Sequence, residues 1–142
     1  MNKLIAASAY ILSSSSISAL RLNSILYLCD TLCFKANGYS LTGKSWFYSH
    51  GLKDDISDVL WRTSFFELSS SSDAPKREYL CLSPNLSYYS VISCLTNDDI
   101  AIINLILKQT ESFNFNQLNS MVLSTNAFSK SEIYQELDLS FS

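Results

Sequence analysis

Residues 20–51 read LRLNSILYLCDTLCFKANGYSLTGKSWFYSHG, and how they are read decides the fold. Leu22, Ile25, Leu26, Cys29, Leu32 and Cys33 recur at i, i+3, i+4, i+7, i+10 and i+11. That spacing places them on one face of an α-helix. Ser16 or Ser18 is positioned to cap its start. Asn37-Gly38 is positioned to end it, because glycine takes the left-handed conformation common at helix C-termini. Tyr39 to Gly51, punctuated by Gly43 and Gly51, then reads as an aromatic loop with a short extended piece at Trp46–Tyr48.

Upstream, Leu4, Ser8, Ile11 and Leu12 share one face of a short helix over residues 2–12, and Ser13–Ser16 break it, since serine favours caps over helix interiors. The same residues, Lys3 followed by LIAASAYIL and a serine-rich stretch, have some features of a secretory leader. Their apolar run is too short for a membrane span, which needs about twenty apolar residues.

Downstream, Asp54 and Asp55 open a third helix carrying Ile56, Val59, Leu60 and Phe65. Ser69 to Asp73, ending at Ala74-Pro75, is a loop. It separates Phe65–Leu68 from Tyr79–Leu82 in a short hairpin closed by Ser83-Pro84-Asn85. Thr96 caps a helix with Asp98 and Asp99 in its first turn. That helix runs through IAIINLILKQ, apolar almost all round, and is expected to be the central core helix. A helix over Asn116–Val122, a turn at Ser124–Ser129 and a final short helix near Ser131–Leu137 complete the chain, with fraying after about residue 137. The expected fold is mainly α: a compact single-domain helical bundle with a short β-hairpin, spanning 1–142.

The bulk properties fit a globular domain. The chain has 142 residues, 47% hydrophobic and 16% charged, with net charge −3, and a mean hydropathy of +0.11. Dispersed charge with an acidic balance argues against nucleic-acid binding, which calls for a basic face. The four cysteines, Cys29, Cys33, Cys81 and Cys94, are expected to be reduced in a cytoplasmic protein, since the chain lacks the character of a small disulfide scaffold.

Four patterns bear on chemistry. Gly38 to Ser45 (GYSLTGKS) fits the phosphate-binding pattern G-x-x-x-x-G-K-[ST]. In such a loop backbone N–H groups and the lysine hold phosphates, and the serine holds Mg²⁺. The mechanism needs a strand before the loop and a helix after it. Here a helix precedes, carrying Asp30, and an aromatic segment comes after, so two turn glycines are the simpler reading. His50, the only histidine, has Ser49, Asp54 and Asp55 near it in sequence, which is not triad geometry. Cys29 and Cys33 supply two of the about four ligands a zinc site needs, with no second pair. Asp54, Asp55 and Asp58 read as helix N-terminal carboxylates. No cofactor, metal or catalytic residue is expected. Aromatics are abundant: Trp46, Phe47, Tyr48, Trp61, Phe65, Phe66, Tyr88 and Tyr89. On a loop they are typical anchors of protein interfaces.

The order of these features resembles the Panacea domain family, also called SocA-like or GepA-like, of bacterial and phage antitoxins and mobile-element proteins. RLNSILYLCD is similar to the family's leucine–x–lysine–x–leucine–x–tyrosine helix, with Leu22, Leu26 and Tyr27 matching and Asn23-Ser24 replacing glutamine-lysine. Gly38, Leu41, Thr42 and Gly43 come next, as in the family. Phe47 to Lys53 stands where an aromatic run ends in Gly-Pro-Val, with only the glycine, Gly51, retained. LTNDDIAIINLIL and FNFNQLNSMVLSTNAF are similar to its closing helices, with Leu123 and Phe128 near the usual histidine and tryptophan. The resemblance covers residues 1 to about 130. It implies a divergent, non-enzymatic cytoplasmic module that binds a toxin, neutralising it or delivering it to a protease. The alternative is a phage or mobile-element protein of the same fold that inhibits a host enzyme or defence protein. The expected contact surface is Trp46, Phe47, Tyr48, His50, Leu52, Asp54 and Asp55, with a protein partner and neither nucleic acid nor membrane.

Overall fold

The computed structural model describes residues 2–14, 16–60, 62–63, 65–70, 78–82, 92–130 and 134–141. They form α1 (Lys3–Ser14), α2 (Ala19–Asn37), α3 (Ile56–Leu60), β1 (Phe66–Ser70), β2 (Glu78–Leu82), α4 (Asn97–Thr110), α5 (Phe115–Leu123), α6 (Asn126–Ser129) and a 3₁₀ turn at Leu139–Phe141. The domain is mainly α with a short antiparallel hairpin, as the periodicity predicts. Among the described residues no helix is long and apolar enough to cross a membrane.

The central helix is α2. Every residue from Leu22 to Asp30 is buried, and α1, α3, α4, α5 and the 3₁₀ turn all pack against it. Its start is capped by the Ser18 hydroxyl, which accepts from Arg21 N. It ends at Gly38, whose φ of +80° places it in the left-handed region; its N–H donates to Phe34 O at 2.8 Å. A Cβ there would be strained by that φ.

The expectation that α4 is central is corrected. Its buried residues are Asp99, Ile103, Ile106 and Thr110 only, while Leu105 is 46% exposed. A count of apolar letters overstates its burial and understates that of α2, whose Asn23, Ser24 and Asp30 are polar yet buried. Buried polar groups persist where they find hydrogen bonds, and such partners are invisible to periodicity.

Side chains tie α4 to α1 and α2 at both ends. Thr96 and Asp99 form a reciprocal capping box, and Lys3 Nζ lies 2.8 Å from Asp99 Oδ2. At the other end, Arg21 donates to Thr110 O at 2.8 Å and to Phe113 O at 2.9 Å, satisfying carbonyls that a helix C-terminus leaves open. A second capping box, Asn114 with Gln117, starts α5 one residue before the sequence suggests. The hairpin pairs Phe66 with Leu82 through Ser70 with Glu78, and Leu80 N donates to Ile17 O at 2.7 Å. Ser69 and Ser70, expected to begin the loop, belong to β1 instead; the rest of the serine loop to Pro75, the Ser83–Asn85 turn, Trp61, Tyr88 and Tyr89 lie outside the described residues.

Two further corrections concern the C-terminal part. The turn expected at Ser124–Ser129 contains the one-turn helix α6. The helix expected near Ser131–Leu137 is not helical over 134–137: this stretch turns at Tyr134 and Gln135 and pairs through its backbone with residues 46–48. Nor does order end at residue 137, because Leu137 and Leu139 are 4% and 9% exposed, within the core. The pattern of SEIYQEL is compatible with a helix, but open backbone groups on Trp46 and Tyr48 offer it a β partner, and strand pairing is non-local.

Candidate functional site

The loop after α2 lies along one face of that helix. Asn23 and Asp30 are seven residues apart, two helical turns, and so point the same way. Asn23 Nδ2 donates to Lys53 O at 3.2 Å. Asp30, fully buried, accepts from Thr42 N at 2.8 Å, Thr42 Oγ1 at 2.5 Å and Trp46 Nε1 at 2.9 Å. Burial pushes the Asp30 carboxyl above the usual carboxylate range, against the opposing effect of the hydrogen bonds from Thr42, Trp46 and Leu41.

This geometry engages the groups that a phosphate-binding loop would direct at its ligand. Thr42 N–H faces Asp30, Gly43 N–H donates to Ser40 Oγ at 3.1 Å, and Lys44 N–H donates to Thr42 Oγ1 at 3.1 Å. The Lys44 side chain is only 7% exposed, and its Nζ lies 2.5 Å from Asp55 Oδ1. The same ammonium donates to Ser45 O at 3.1 Å and sits 4.1 Å from the Trp46 ring centroid, within cation–π range. The chain beyond Ser45 is extended rather than helical. The Asp30 carboxylate occupies the position of an internal anion, and Lys44 is a structural cation.

Beyond Trp46 the chain turns outward. Residues 46–53 form a tight hairpin-like turn, with a Tyr48–Leu52 bridge, Ser49 N donating to Gly51 O at 2.7 Å and Lys53 N to Phe47 O at 2.9 Å. The C-terminal segment adds an antiparallel partner. Tyr48 N donates to Gln135 O, Tyr134 N to Tyr48 O and Leu137 N to Trp46 O, at 2.9, 2.6 and 2.7 Å. His50 and Tyr134 have φ of +48° and +66°, the two non-glycine residues with positive φ among those described. They meet: Tyr134 Oη is 3.2 Å from His50 Nε2, and the rings form a T at 5.8 Å.

The expected contact residues divide into two groups. Phe47, His50 and Asp54 are exposed, and Leu52 is half-buried. Partial desolvation, then repulsion from Asp55 and Asp58, pushes the Asp54 carboxyl up. Trp46, at 1% exposure, is corrected from surface to core: it meets Tyr27 edge-on at 5.6 Å. Tyr48 is half-buried, packed on Phe128 at 5.0 Å, and Asp55 is engaged by Lys44. Sequence reasoning misses Tyr134, 68% exposed, and the anchoring role of Asp30. A lone acidic residue inside an apolar helix repeat is the available signal for Asp30; Tyr134 has none.

Cys29 and Cys33 are buried free thiols. Burial pushes both up, with the Asp30 charge adding to the effect. Among the described residues no group of three or more His, Cys, Asp or Glu is placed to hold a metal ion. No family model, curated protein or solved structure matches this chain.

Proposed function

We propose that the protein is a non-enzymatic, cytoplasmic protein-binding module of the antitoxin type. Its contact surface is the exposed side of the 46–55 turn, Phe47, His50, Leu52 and Asp54, together with Tyr134, and its partner is a toxin that it neutralises or presents to a protease. One observation carries this reading. A turn pinned from beneath by Asn23 and Asp30 displays Phe47 and His50 outward, beside Tyr134 of the paired C-terminal segment, the last two in a costly backbone conformation. Strain of this kind, about 1–3 kcal/mol per residue, persists where the surrounding structure over-determines it and clusters at functional positions. A rigid base with exposed aromatics also lowers the ordering cost of forming an interface. The order of segments along the chain, which resembles the Panacea family, supports the toxin as partner.

The test is co-expression with the neighbouring open reading frame. The expected result is a stoichiometric complex, with rescue of growth when the neighbour alone is toxic. The Phe47→Ala/Tyr134→Ala double variant, with an unchanged melting temperature, should bind at least tenfold more weakly. A harmless neighbour that does not co-purify would refute the reading. A host enzyme inhibited by the purified protein through the same surface would move the assignment to the inhibitor alternative.

A further inference from the structure

We propose that the cavity between α2, α4 and α5 is a binding site for a small amphiphilic carboxylate, with one anionic head on a body the size of a phenyl ring or short acyl chain. The site is built from different residues than the 46–55 surface, so the inference goes beyond the protein-binding reading. The cavity has a volume of about 290 Å³, at the lower end of the range that holds organic ligands.

Four apolar side chains form one part of its lining. Leu28 and Leu32 come from α2, Ile106 from α4 and Met121 from α5. Methionine is flexible and polarizable, and adapts to varied shapes. Lys35, in the last turn of α2 and exposed, is the one charged residue in the lining, and among the described residues no carboxylate pairs with it.

The polar groups around the cavity separate into engaged and free. The Thr31, Ser124 and Thr125 hydroxyls donate to the carbonyls of Leu28, Met121 and Val122. Lys35, Gln109 and Asn126 also line the cavity, and their side chains make no hydrogen bond or ion pair among the described residues. A half-open cleft with an apolar wall, one ammonium and two amides fits a monoanion. A phosphate dianion would call for a second cation, and an amine would meet Lys35 with like charge. The two amides fit the second carboxylate oxygen, which accepts hydrogen bonds without a further charge.

The probe is 4-phenylbutyrate, tracked by methyl NMR shifts of Leu28, Leu32, Ile106 and Met121 in the full chain. The expected result is saturable shifts confined to these methyls, with Kd about 1 mM or tighter, as ligand efficiency gives for about twelve heavy atoms. Lys35→Gln, an exposed change, should keep the melting temperature and weaken phenylbutyrate roughly tenfold while leaving 4-phenylbutanamide unaffected. The amine 4-phenylbutylamine should bind at least tenfold more weakly than the acid. Gln109→Trp at the rim should block all three ligands. Absence of saturable shifts would overturn the proposal, as would equal binding of acid and amine, or phenylbutyrate binding that is indifferent to Lys35→Gln.

Discussion

Two consecutive turns, Gly38–Ser45 and Trp46–Lys53, share glycine punctuation and a common support on α2, yet direct their polar groups oppositely. The first turns inward. Its amides, the Thr42 hydroxyl and the Lys44 ammonium are held by Ser40, Asp30 and Asp55. The second turns outward, placing Phe47, His50 and Tyr134 at the surface. The nucleotide-binding pattern falls on the turn whose Thr42, Gly43 and Lys44 donors are already engaged, and the candidate interface falls on the turn that matches no motif. A motif of backbone donors has chemical meaning only if nothing in the same chain already satisfies them, and here Asp30, Ser40, Thr42 and Asp55 hold the donors of Thr42, Gly43 and Lys44.

The sharpest way to break this contrast is to remove the anchor of the inward turn. Asp30→Ala leaves the buried Trp46 Nε1–H and two donors of the half-buried Thr42 without an acceptor and should cost about 3–5 kcal/mol, read as a lower urea midpoint. Asp30→Asn, which keeps one acceptor oxygen, should cost less. Lys44→Ala comes next. It strands Asp55 and uncovers one face of Trp46, for about 2–3 kcal/mol, and it should leave ATP and GTP binding undetectable both before and after. A nucleotide that binds the unmodified chain and is lost in the variant would undo the inward reading.

How far each turn is legible depends on how local its determinants are. The C-cap of α2 at Gly38 and the N-cap of α4 at Thr96 are set by residues within a few positions, and the sequence shows them; for the start of α2 it offers Ser16 or Ser18, of which Ser18 is the cap. Asp30 acts on Thr42 and Trp46, twelve and sixteen residues on, across a loop whose path the pattern does not specify. Tyr134 reaches His50 over 84 residues, so nothing near either residue announces the contact. The exposure of Phe47 and the burial of its neighbour Trp46 depend on the same non-local frame, and for that reason the aromatic run reads, from sequence, as a single surface.

The outward turn admits gentler tests. His50→Gly removes the penalty of a positive φ at a side chain, offset by glycine's greater chain entropy. It should raise stability by about 0.5 kcal/mol, roughly 2 °C in Tm, while weakening the partner complex. A fall in Tm would show that the His50–Tyr134 contact outweighs the strain.

The smallest expected effect is a difference in pH slope. Burial opposes the Asp99 charge, but Lys3 and the Thr96 N–H outweigh it and hold the carboxyl below its ordinary value. Its contribution is present above the unfolded-state pKa, about 3.9, and is lost as pH falls through the lower folded value. Asp30 has the opposite sign. Its folded pKa is raised, so its charge destabilises at neutral pH, and stability rises as pH falls from that raised value toward about 3.9. Denaturation of Asp99→Asn across this acid range should therefore lose stability less steeply than the unmodified protein. An unchanged slope would remove the Lys3–Asp99 pair from the account.

The pairing of Phe47 with Glu136 also sets a clock. A chain made from its N-terminus at about 5–20 residues per second produces α2 and its inward turn early, but the strand that completes the outward turn arrives about ninety residues later, after roughly 4–18 s. During synthesis the anchored half can form while the exposed half waits. A partner that reads the finished surface will thus distinguish a nascent chain from a mature one.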